Sequence, residues 1–196
     1  MTDDALDSMA DRRLLAALAK RDNQAVTAAL AAGADPDLPG RHGTRPLHGA
    51  SARGDLELVE ILLSHGAGVD ITDDTPYGLL TPLFLGVIYG HTPVVGRLLE
   101  AGASVDSRAH PGPLLRGEDD LPAQAKLDRA GWSPVHWAAS EDDLDMLAVL
   151  LTAAPEALAW TAENGARAYA LVGERRCRAL MLWVAQGRSV AAFFER

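Results

Sequence analysis

The sequence predicts an all-α solenoid of about four helix-turn-helix repeats and a C-terminal capping repeat, with one long loop insertion. Three observations carry that prediction. The chain resembles itself at a basic period of 33 residues, Gly33 recurring as Gly66. Pro46, Pro82 and Pro134 each open an apolar segment. Apolar residues at i, i+3 and i+4 follow in each unit and stop at or near a glycine. The 196 residues are 48 % hydrophobic but only 5 % aromatic, and Ala and Leu dominate, which favours helices over strands. A single helix pair cannot cover its own apolar face, so recurrence implies stacking.

The copies read in order. "LLAALAKRDNQAVTAALAAGADPD" (Leu14 to Asp37) is followed by "RPLHGASARGDLELVEILLSHGAGVD" (Arg45 to Asp70). Next come "TPLFLGVIYGHTPVVGRLLEAGASVD" (Thr81 to Asp106) and "SPVHWAASEDDLDMLAVLLTAAPEAL" (Ser133 to Leu158). A weaker copy, "ARAYALVGERRCRALMLWVAQGRSV", runs to Val190. We expect one domain over 1–196, with repeats at about 11–43, 44–79, 80–131, 132–164 and 165–196. The third contains an insertion over 107–127, "SRAHPGPLLRGEDDLPAQAKL".

Each unit should be helix, tight turn, helix, loop. Proline suits the first turn of a helix, where its missing N–H has no intrahelical partner. The hydroxyls of Thr81 and Ser133 are natural N-caps. Arg45 cannot cap, so Thr44 is expected to substitute one step early. Small residues such as Gly49, Ala50, Ala138 and Ala139 let neighbouring helices approach. Gly54 and Gly90 should break the first helix with positive φ, and Gly33, Gly66 and Gly102 should cap the second. Val59, Leu62 and Leu63, then Val95, Leu98 and Leu99, then Leu147, Leu150 and Leu151 form the buried stripes.

At these residues the chain resembles the ankyrin-repeat family. "GWSPVHWAA", "TPLFLGVIYGH" and "LLSHGAGVD" lie close to its G-x-T-P-L-H-x-A-A, N-G-H and L-L-x-x-G-A-D-V patterns. The resemblance covers about residues 11–187. It implies a non-enzymatic platform for binding another protein. Several positions depart from the pattern. Arg21, Asp142 and Arg175 stand where an inter-helix glycine is expected, and Phe84 replaces the motif histidine. Ala154 and Pro155 replace Gly-Ala, so the fourth unit should end irregularly. A short C-terminal helix carrying Phe193 and Phe194 should fold onto the last repeat; an exposed apolar hook is the alternative.

The net charge of -9 argues against a nucleic-acid partner and for a protein with a basic surface patch. The single Cys177 cannot form an internal disulfide, which suits a reduced, cytoplasmic setting. The acidic start shows no secretory signal, and no apolar run is long enough for a membrane span. No P-loop, H-E-x-x-H, C-x-x-C or nucleophile elbow is present, so we expect no catalytic residues, cofactor, metal or small-molecule substrate. His48 and His136 fall on the motif histidine and His91 on the inter-helix turn, all structural positions. His42 and His65 are expected to be solvated. His110 lies near Glu118, Asp119 and Asp120 in the insertion, the one place where a metal-assisted enzyme could be sought. Cys177, Trp137 and Trp183 read as core.

The expected partner-binding surface is formed by inner helices and loop tips. It comprises Arg41, His42, Arg53, Tyr77, Ile88, Tyr89, Arg129, Trp132, Glu141 and Trp160, together with Lys20 and Glu174. Exposed aromatics and arginines are the residue types that dominate binding energy; covering the loop roots is the alternative role for the aromatics. Long insertions in repeat proteins often lie on the binding face. The function expected is steric: a binding module, in one form a bacterial inhibitor of immunity type, with an adaptor or regulatory scaffold as the alternative.

Overall fold

The computed structural model describes residues 9–40, 44–72, 80–108, 131–163 and 165–195. The helix pairs are α1 (Met9–Lys20) with α2 (Asn23–Ala31), α3 (Pro46–Arg53) with α4 (Leu56–Ser64), α5 (Pro82–Ile88) with α6 (Thr92–Glu100), and α7 (Pro134–Ser140) with α8 (Leu144–Ala153). The last unit has a short α9 (Ala168–Leu171), α10 (Arg175–Ala185) and a final turn α11 (Ala191–Phe194). First helices stack α3 on α5, α5 on α7 and α7 on α9. Second helices stack α2 on α4, α4 on α6, α6 on α8 and α8 on α10. Among the described residues there is no strand beyond one isolated bridge between Thr161 and Arg167. None of their helices is long and apolar enough to cross a membrane.

The helix starts obey simple capping chemistry. Asp22, Asp55 and Asp143 precede the second helices and accept from Ala25 N–H, Leu58 N–H and Met146 N–H. Thr81 Oγ1 accepts from Phe84 N–H at 3.3 Å. Ser133 and His136 form a reciprocal capping box at the start of α7. Thr44 does not replace the missing cap of α3. It is exposed, and Arg45 offers no side-chain cap. The Arg45 guanidinium instead donates to Asp37 O at 2.8 Å and Thr72 O at 3.3 Å, joining the loops on either side.

Turns follow the expected glycines. Gly54 and Gly90 have φ of 71° and 72°, and Gly33, Gly66 and Gly102 lie near 90°. Arg21 and Asp142 adopt the same left-handed conformation at φ 57° and 53°. Arg175 does not: it begins α10, and the turn before it is built by Gly173 and Glu174, whose N–H groups both donate to the Asp142 carboxylate at 2.9 Å. Asp142 therefore fills the glycine conformation and also fastens the turn that leads into α10.

Loops are chained from one repeat to the next. The Asp37 carboxylate accepts from Gly68 N–H at 3.1 Å, and that of Asp70 from Ser104 N–H at 3.0 Å. His48 Nε2 lies 2.9 Å from Leu80 O, and His136 Nε2 lies 3.2 Å from Ala166 O, about one repeat downstream each time. His91 Nε2 reaches back to Ala52 O at 3.2 Å. All three histidines are structural.

Leu14, Leu47, Leu62, Leu83, Leu98 and Leu150 are fully buried along the core. Phe84, in place of a histidine, is also fully buried and meets Trp137 edge-on at 6.2 Å. The fourth unit ends irregularly, as a 3-10 turn over Pro155–Ala159. In α10 the buried stripe is Cys177, Leu180, Met181 and Val184, which leaves Trp183 half-buried rather than in the core. The helix starts at Arg175, two residues before the core position taken by Cys177, and Trp183 falls beside the stripe. Its ring packs on Phe193 at 6.1 Å and carries the Arg188 guanidinium at 4.3 Å. Phe193 thus folds back onto the last repeat, while Phe194 stays 46 % exposed.

Candidate functional site

The sequence-predicted residues fall into separate places. Ile88, Tyr89 and Glu141 come together. They line a depression of about 390 Å³ with Gly90, Trp137 and Met146, where the C-terminal ends of α5 and α7 lie side by side. Glycine builds this place. Gly54 at positive φ leaves room for the His91 ring, which a Cβ there would meet at 2.6 Å from Nδ1. Held by Ala52 O, that ring stacks on Tyr89 with centroids 6.5 Å apart and planes 19° from parallel. Tyr89 is therefore oriented before any partner arrives. Glu141 is exposed beside it, and Ile88 is half-buried.

Arg53 belongs to a different concavity. A groove of about 940 Å³ runs between α1 and α3, walled by Leu15 and Leu18 on one side and Gly49 and Arg53 on the other. Arg53 is exposed. Its guanidinium pKa is nonetheless lowered, chiefly by desolvation, with Asp55 opposing and Arg21 adding to the shift.

Trp132 is not an exposed anchor. It is 6 % exposed and meets Trp137 edge-on at 6.1 Å, which extends the aromatic row that begins at Phe84. The position looked variable in the repeat pattern, but the ring lies under the stack rather than at a loop tip. Trp160 is half-buried, and the Arg108 guanidinium stands 4.9 Å above it. Arg41, His42, Tyr77 and Arg129 lie outside the described residues, as do His110, Glu118, Asp119 and Asp120 and most of the 107–127 insertion.

Two structural features are absent from the sequence reading. One is the apolar wall of α1. Leu14 to Ala19 is apolar without a break, and only Leu14 and Ala17 are fully committed to the core, so Leu15, Ala16 and Ala19 are left over. The unbroken run was the available signal. The other is Arg108, which touches Asp106, Gly131 O and Thr161 O besides Trp160. Nothing in local sequence marks it.

Reactive groups are restrained. Burial, with Glu174 and Asp142 close by, pushes the Cys177 thiol up to about 12, and its S–H donates to Asp142 O at 3.3 Å. A thiol in that state is a poor nucleophile at neutral pH. Desolvation lowers the His136 pKa against the opposing effect of the Ala166 carbonyl, with Arg108 adding to the lowering. Among the described residues no three His, Cys, Asp or Glu side chains converge as a metal site would require.

Models of ankyrin repeats match the chain over residues 14–109, as three copies, and over 130–159 as a single repeat. Ankyrin repeat and SOCS box protein 11 of Homo sapiens is 42 % identical over 65 residues, 33 % of this chain and 19 % of that protein; the Pongo abelii protein gives the same figures. Ankyrin repeat and SOCS box protein 2 of Bos taurus is 33 % identical over 93 residues, 47 % of this chain and 14 % of that protein. The matched stretches span less than a fifth of the length of these curated relatives.

Proposed function

The chain belongs to the ankyrin-repeat family, a protein-interaction module, and we propose that it acts without chemistry of its own, by holding a protein partner across the exposed ends of its first helices. The observation that carries this reading is the convergence of Ile88, Tyr89 and Glu141 from two successive repeats in one open depression, with Tyr89 oriented by His91. A rigid aromatic beside a half-buried aliphatic and an exposed carboxylate is the composition of an interface centre, where a few anchors carry most of the energy. Pre-orientation adds affinity by lowering the entropy lost on binding.

The narrower form of the proposal is a dedicated steric inhibitor of immunity type, working in the cytoplasm on a partner with a basic patch. The net charge of -9 and the single buried thiol support that setting. An adaptor is the second reading. It is favoured by the names of the relatives, which pair ankyrin repeats with a SOCS box.

The test is capture of the partner from the native host by the chain and by an Ile88→Asp/Tyr89→Ala double variant, followed by affinity measurement with the purified partner. The proposal expects a stoichiometric complex with the wild-type chain and a loss of at least tenfold in affinity for the variant. Equal binding by both chains would remove this surface. Turnover of the partner or of any small molecule by the isolated chain would remove the non-catalytic reading.

A further inference from the structure

The first helices of the first two repeats do not close on one another as the later ones do. From α3 onward the first helices pack side by side, whereas between α1 and α3 there is a groove of about 940 Å³. That size lies near the top of the range of ligand clefts, roughly 300–1,000 Å³. Its chemistry is two-sided. Leu15, Ala16 and Ala19 of α1 give it an aliphatic wall, and Leu38 and Pro46 lie deeper. Opposite them Gly49 has no side chain to fill the space. The Arg53 guanidinium instead lies back along α3, where a Cβ on Gly49 would meet Nη1 at 3.1 Å.

Cations stand at the helix ends beside the groove. The chain carries -9 overall, yet Lys20 and Arg21 close α1 and Arg53 closes α3. None of these three side chains makes a hydrogen bond or ion pair among the described residues. The nearby carboxylates are engaged elsewhere. Asp22 and Asp55 cap helices, and Glu57 accepts from Asn23 at 2.9 Å. Among the described residues Asp55 is the counter-charge that acts on Arg53, and Arg21 acts on it as a like charge.

We infer that the groove between α1 and α3 receives a short segment of a protein partner that carries aliphatic side chains and a carboxylate, the aliphatics against Leu15 and Ala19 and the carboxylate at Arg53. A carboxylate there accepts from the planar fork of Arg53, which makes no hydrogen bond among the described residues. An aliphatic side chain covers the α1 surface that the described residues leave exposed. The inference rests on the binding-module reading and assigns it a second contact, apart from the Tyr89 depression.

Two fluorescent nine-residue peptides are the probes, one alternating Leu with Glu and one alternating Leu with Lys, titrated into the full chain by anisotropy at low and moderate salt. The Glu peptide should bind and weaken with salt, and the Lys peptide should not bind. Arg53→Glu should cut affinity at least tenfold through charge. Gly49→Met should do so by filling the groove, and because it raises helix propensity in α3 its effect cannot be assigned to unfolding; a thermal melt checks both variants. Arg53→Gln should be intermediate. Equal binding of the two peptides, or unchanged affinity in both Arg53→Glu and Gly49→Met, overturns the inference. So does a concentration-dependent dimer abolished by Arg53→Glu, which would make a second copy the occupant. Failure of this inference is separable from failure of the module. If a purified partner loses affinity to Ile88→Asp/Tyr89→Ala but not to Arg53→Glu, the groove assignment falls and the module stands.

Discussion

The guanidinium of Arg108 lies 4.9 Å above the Trp160 ring, while its nitrogens reach Asp106 at 3.0 Å, Gly131 O at 3.4 Å and Thr161 O at 3.5 Å. One side chain thus ties the end of the third repeat, the start of the fourth and the loop after the fourth. Arg108→Ala should lower stability by about 1–2 kcal/mol, since a partly desolvated cation over an indole and several charge-assisted bonds are lost together. Arg108→Lys should recover only part of this, because an ammonium cannot spread its donors as a planar fork does. Urea unfolding of the three chains would measure it, and an Arg108→Ala chain as stable as wild type would contradict it.

Phe84 replaces a polar linker with an apolar one. Its full burial against Trp137 predicts a loss of about 3–5 kcal/mol for Phe84→Ala. Phe84→His, which restores the family pattern, should also destabilise, because the neighbours have repacked around a ring with no polar atom. Equilibrium unfolding tests both, and a stabilising Phe84→His would refute the packing argument.

His136 should make the fold acid-sensitive. Ser133 N–H donates to Nδ1 at 3.3 Å, so Nδ1 carries no proton and Nε2–H serves Ala166 O. The neutral ring is the one the structure holds, and desolvation lowers the folded-state pKa below the ordinary value of about 6.5. The unfolded chain therefore binds the proton first as pH falls. The contribution is complete above about 6.5 and is lost as pH drops through the folded-state value. His136→Gln should flatten the stability profile between pH 7 and pH 5, read from unfolding midpoints across that range. A parallel profile in the variant would exclude His136 as the source.

Two non-glycine residues with positive φ predict opposite outcomes. Arg21 at φ 57° makes no side-chain hydrogen bond or ion pair among the described residues, so Arg21→Gly should stabilise by about 1 kcal/mol. Asp142 at φ 53° holds Gly173 and Glu174 through its carboxylate, so Asp142→Gly should destabilise despite the easier backbone. Differential scanning calorimetry separates the two signs.

The legibility of this protein divides along a physical line. Helix starts and stops were readable because proline, aspartate and glycine act on their immediate neighbours, and the stripes of α4, α6 and α8 were readable because their period is local. Trp183 was misread because the last helix begins out of phase with the copies before it, and Trp132 because burial depends on what comes to lie above it. Arg175 looked like a turn residue, but the turn had moved to Gly173 under the carboxylate of Asp142. The groove beside α1 was missed because its existence depends on the missing side chain of Gly49 facing a helix from another repeat. Ile88, Tyr89 and Glu141 were chosen on residue type and repeat position, and three-dimensional structure alone shows that they share one depression.

The Arg108 bridge has a practical meaning. The 22 residues from 109 to 130 depart next to Arg108 and return at Gly131, and the two sides of that gateway are fastened to each other and to Thr161. Arg108, through Gly131 O and Thr161 O, holds the repeats on both sides in registration. The gateway is accordingly a natural splice point, where a foreign sequence of different length could be exchanged for the present one while the neighbouring helices stay where they are.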